Sequence, residues 1–94
     1  MSTQFLRKER SRAASVNEIR KVVAFRLQLL MHRLSDTARA TDEIEELRDL
    51  FESLPLGTAE FSLAMNRLRN AQRYLGSCEI AAARYELGLL FGDL

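Results

Sequence analysis

A single histidine, a single cysteine and a run of carboxylates are the residues in this 94-residue chain whose types could do chemistry. His32 falls on the polar side of its helix by angular position, near Lys21 and Gln28, and the spacing sets no nucleophile or carboxylate against it. A histidine acts as a base only when such a partner is held within hydrogen-bond reach. Cys78 is expected in the first turn of a helix, where the dipole favours a thiolate, but it has no second cysteine and no evident base. Asp42, Glu45, Glu46, Asp49 and Glu52 crowd one helix, with Glu45 and Asp49 one turn apart as hard-cation ligands would be. No Glu-x-x-His, calcium-loop pattern or second carboxylate helix completes such a site. The four glycines stand singly, so none forms a phosphate-cradling loop. The residues therefore predict no catalytic group, metal, cofactor or small-molecule substrate, and the expectation is a protein that is not an enzyme.

The composition narrows the class further. With 47% apolar and 29% charged residues, the chain reads as an ordinary soluble globular domain. Its longest apolar runs are four residues or so, against the roughly 20 that cross a bilayer. The opening MSTQFLRKERSR has no apolar block after its charges and so does not read as a secretory signal. One cysteine forms no internal disulfide, which suits a reducing compartment; cytoplasmic is the expected location. Net charge is only +1, yet it is segregated: +6 over residues 1–40, −6 over 41–60 and +1 over the rest. Segregation of this kind steers association with a charged partner or draws two neighbouring helices together.

Helices must position all of these groups. Residues 15–34 open with Ser15-x-x-Glu18, a capping-box signature, and contain no Gly or Pro. At 100° per residue, Val16, Ile19, Val23, Leu27, Leu30 and Leu34 form one stripe. Val22, Phe25 and Leu29 form another, set apart by Arg26 and Arg33. A helix that merely covers a core needs one apolar face; this one has two. It should fade over residues 35–41. Thr41 then caps a second helix whose face is Ile44, Leu47, Leu50, Phe51 and Leu54. Pro55-Leu56-Gly57-Thr58 breaks the chain, with Thr58 capping a third helix over residues 59–75. Its core stripe is Phe61, Ala64, Met65, Leu68, Ala71 and Leu75, with a weaker stripe of Leu63, Arg67, Asn70 and Tyr74. Gly76 is the expected left-handed residue and Ser77 the cap of a fourth helix over residues 78–91, with Ile80, Ala83, Leu87, Leu90 and Phe91 inward.

Around that last junction, Gly76, Ala81, Tyr85 and Gly88 stand in the order and spacing of a glycine, a small residue, an aromatic and a small residue. With Leu68, they resemble the second half of a tetratricopeptide repeat. The likeness covers residues 62–94, with Met65 and Gln72 where that family favours tryptophan and tyrosine, and no second copy lies upstream. It implies a close-packed helical hairpin; peptide binding is not carried over with it.

The expected fold is all-α, a small antiparallel bundle of about four helices with a C-terminal helical hairpin. It divides into residues 1–14, a basic N-terminal arm or helix extension, and residues 15–94, a single helical domain. The expected function is a non-enzymatic protein–protein interaction module (adaptor, chaperone or regulator) that packs helix on helix and self-associates as a homodimer. Its interface is placed at Val22, Phe25 and Leu29 with Arg26 and Arg33, joined by Leu63 and Tyr74. The alternative is a small nucleic-acid-binding regulator that contacts phosphates through Arg7, Lys8, Arg10 and Arg12.

Overall fold

A computed structural model describes the backbone of residues 2–94 and the side chains from Val16 onward. Among the described residues the chain forms four helices and no strand: α1 (Ser2–Met31), α2 (Thr37–Glu52), α3 (Thr58–Gly76) and α4 (Ile80–Gly92). The expected all-α class is what the structure shows. Each helix packs on the next and α4 closes back on α1, while among the described residues the backbones of the diagonal pairs α1/α3 and α2/α4 stay apart. Links of three to five residues leave consecutive helices no option but to run antiparallel. The arrangement is a four-cornered ring around one core.

That core is aliphatic with a single ring. Val23, Leu27, Leu30 and Leu34 enter from α1 and its exit, and Ala40, Ile44, Leu47, Phe51 and Leu54 from α2 and its exit. Ala64, Leu68, Ala71 and Leu75 enter from α3, and Ala83, Leu87 and Leu90 from α4. No described polar side chain belongs to a fully buried residue, so bundle stability rests on apolar burial and interdigitation. The alanines of α2, α3 and α4 let the helix axes approach while leucines fill between them. Two residues expected inward sit at the edge instead. Phe61, in the first turn of α3, is half-buried, and Phe91, in the last turn of α4, is exposed.

The helix ends depart from expectation in instructive ways. Ser15 does not cap α1, because the helix runs unbroken from Ser2 and the capping-box residues lie in its interior. Helix formers on both sides outweigh the cap, since ending a helix there would discard its backbone bonds. At the other end α1 stops at Met31 without Gly or Pro. The Arg84 side chain of α4 donates from Nε to the Met31 carbonyl at 3.1 Å, occupying one of the acceptors that a helix end leaves open. Asp36, rather than Thr41, caps α2, taking the Arg39 amide on its carboxylate at 3.2 Å. Thr41 lies one turn inside and bonds back to the Thr37 carbonyl at 2.9 Å. Gly57 takes the cap position of α3 that Thr58 was expected to hold.

Between α3 and α4 the left-handed residue is Cys78, with φ 58°, and no glycine has positive φ. The Cys78 amide bonds to the Leu75 carbonyl at 3.1 Å and the Glu79 amide to the Tyr74 carbonyl at 2.8 Å. Those two bonds are the Schellman pair that closes a helix C-terminus. Cys78 is thus the stop of α3 and not the first turn of α4, which Glu79 precedes. The α3–α4 pair is the most extensively packed in the bundle, in keeping with the hairpin that the tetratricopeptide likeness implies.

One helix outruns the rest. At about 1.5 Å per residue, the 30 residues of α1 span roughly 45 Å, against roughly 24 Å for the 16 residues of α2. Arg20 shares a cleft with Phe51, Glu60 and Leu94 at the end of the bundle where α2 and α4 finish and α3 begins. Residues 2–15 continue the α1 axis past that end. The radius of gyration is accordingly 15.4 Å, above the roughly 12 Å of a compact chain this long.

Candidate protein interface

The second apolar stripe of α1 faces outward. Phe25 is 61% exposed and Val22 43%, while Leu29 is half-buried at the edge of α2. The three follow one another at steps of three and four, so the helix repeat carries them along one line beside α2. The ring leaves α1 only two neighbours, α2 and α4, and the face turned from both remains uncovered.

A cleft of about 170 Å³ runs between this stripe and α2, lined by Arg26, Leu29, Arg33, Glu43, Glu46 and Leu47. Its floor is apolar and its walls are charged, with Arg26 on α1 and Arg33 in the link after it facing the acids of α2. Arg26 bridges the walls to Glu46 at 3.1 Å. Glu43 is drawn instead to Arg39 on its own helix at 3.4 Å, and Arg33 makes no ion pair among the described residues. Arg26 thus pairs across the cleft, and Arg33 is a free cation on the rim among the described residues.

The structure does not bring all seven expected interface residues together. Val22, Phe25, Arg26, Leu29 and Arg33 share the α1/α2 wall. Leu63 and Tyr74 lie on α3, diagonally across the ring, and the weaker stripe to which they belong turns toward α4. Arg67 of that stripe reaches Glu86 of α4 at 3.5 Å. Tyr74 packs against the core. Leu63 lines the end cleft with Leu90, Asp93 and Leu94. The seam thus accounts for Arg67, while Leu63 remains 45% exposed. Sequence reasoning missed Tyr85, which is 66% exposed on α4. Apolar residues lie on several sides of α4, so periodicity alone did not single out the side that faces water.

The groups considered for chemistry are dispersed. His32 is exposed in the link after α1, and Cys78 is an exposed free thiol at the α3–α4 turn. Glu45 accepts from Gln72 of α3 at 2.8 Å and pairs with Arg48 at 3.4 Å, so its carboxylate ties α2 to α3. Among the described residues no cluster of three or more His, Cys, Asp or Glu could hold a metal ion, and no helix is long and apolar enough to cross a membrane. Arg7, Lys8, Arg10 and Arg12, the expected nucleic-acid contacts, lie outside the described side chains.

No family model matches the chain, and no curated protein or solved structure matches it either.

Proposed function

We propose that this protein is a non-enzymatic interaction module that binds protein through the outer wall of α1 and α2 and first of all binds itself. The observation that carries the reading is Phe25, a large aromatic held 61% exposed on the surface of a rigid helix. Val22 and Leu29 flank it, and a charged cleft lies beside it. Aromatic anchors surrounded by a charged rim are the anatomy of a protein interface. A helical partner laid along the stripe would bury the three apolar residues and meet Arg26, Arg33 and Glu46 at its edge. A single exposed thiol suits a reducing, cytoplasmic setting.

Light scattering after size exclusion tests this on the unmodified chain and on Phe25→Asp. The expected result is a wild-type dimer and a folded, monomeric variant. A wild-type monomer at tens of micromolar, or a Phe25→Asp dimer, would overturn the self-association.

A further inference from the structure

The charge segregation of the chain finds little relief inside one molecule. Asp42, Asp49 and Glu52 on α2 are exposed, and their carboxylates have no ion-pair or hydrogen-bond partner among the described residues. The basic residues Arg7, Lys8, Arg10 and Arg12 belong to the stretch of α1 that continues past the far end of the bundle. Because α1 is unbroken from Ser2 to Met31, that stretch cannot turn back onto its own α2. Only another molecule can bring the two charges together.

We propose that residues 2–14 of one molecule lie in the α1/α2 groove of a second copy, over Val22, Phe25 and Leu29 and against Asp42, Glu46 and Asp49. The exchange is reciprocal about a two-fold axis and rests on the self-association proposed above. Helix dimensions fit. Two α1 helices crossing antiparallel near residues 17 and 18 bring residues 5–14 of each level with residues 21–30 of the other, the length that carries the exposed stripe. At about 1.5 Å per residue, the overhang of residues 2–14 is roughly 20 Å long and α2, with its 16 residues, roughly 24 Å. The overhang and the groove residues beneath it together approach the roughly 20–30 residues a side of a stable interface. Apolar contact along the α1 stripe supplies affinity, and the opposed charges fix direction and register.

A charge swap tests the exchange. One variant reverses the overhang (R7E, K8E, R10E and R12E) and another reverses the facing acids of α2 (D42K and D49K). Each is measured alone and in equimolar mixture by sedimentation equilibrium. Wild type should dimerise, each variant alone should be monomeric because like charges now meet, and the mixture should form a heterodimer. The dimer Kd of the unmodified chain should rise about tenfold or more between low and high salt, since exposed charges are screened. That salt series reads the same contact even if a variant fails to fold. A wild-type dimer with a salt-insensitive Kd, or an α2-reversed variant that dimerises as wild type does, would overturn the overhang docking and leave the Phe25 interface standing. Wild-type monomer would overturn both. Salt-sensitive retention of a short DNA duplex by the overhang, with dimerisation indifferent to both reversals, would assign the basic residues to nucleic acid and overturn the exchange.

Discussion

The Glu79 amide reaches back over Cys78 to the Tyr74 carbonyl at 2.8 Å, and this bond holds Cys78 at φ 58°. A residue with a Cβ pays roughly 1–2 kcal/mol to sit in that region, and glycine does not. Cys78→Gly should therefore stabilise the fold by about 1 kcal/mol after allowing for the freer unfolded chain. Thermal unfolding should show it as a rise of about 4–8 °C. A fall would mean that the cysteine side chain contributes something the turn geometry does not reveal.

Arg67 and Arg26 both make ion pairs between helices, and they should respond differently to removal. Arg67 is 22% exposed and its partner Glu86 15%, with Asp93 a further 3.7 Å from Nε. That Nε is buried without a hydrogen-bond partner. Arg67→Ala strands the Glu86 carboxylate in the α3–α4 seam and should cost about 2–3 kcal/mol in urea unfolding. Arg26 and Glu46 are 48% and 65% exposed, and Arg26→Ala should cost about 0.5 kcal/mol or less.

Asp36→Ala removes the only side chain that caps the start of α2. The expected loss is about 1 kcal/mol, measured by denaturant midpoint. Thr41→Ala, one turn inside the helix, should change stability little, and equal losses would show that the cap lies later than the structure places it.

The two stripes of α1 predict opposite behaviours from adjacent turns. Leu27 is fully buried, so Leu27→Ala should cost about 2–5 kcal/mol and leave the interface residues in place. Phe25→Ala should leave monomer stability within about 0.5 kcal/mol, as exposed positions do, and abolish self-association. Unfolding curves on a monomeric background separate the two.

The amphipathic middle of each helix was legible in the sequence because burial alone decides it. Ile44, Leu47 and Phe51 repeat at helical spacing and all enter the core. Pro55 and Gly57 marked the α2–α3 break for equally local reasons. The ends were less legible because they are settled by partners distant in sequence or by competition among neighbours. Met31 ends α1 where Arg84 meets its carbonyl. Ser15 and Glu18 match a capping box that the longer helix overrides. Gly76 has the residue type that a left-handed turn favours, yet α3 extends through it and the turn falls on Cys78. For the candidate interface, the α1 stripe could be read from periodicity. The assignment of Leu63 and Tyr74 could not, because only the ring order tells which helix an extra stripe faces.

The contact between Arg84 and the Met31 carbonyl joins positions 53 residues apart, and it bears on how the chain assembles as it is made. The first three helices can leave the ribosome and pair in sequence, but the flank of α1 that meets α4 stays open until the last helix emerges. Helix formation can run ahead of synthesis; closure of the ring cannot. A nascent chain stalled before residue 84 would leave the Met31 carbonyl without its Arg84 donor. α4 thus acts as the fastener for α1.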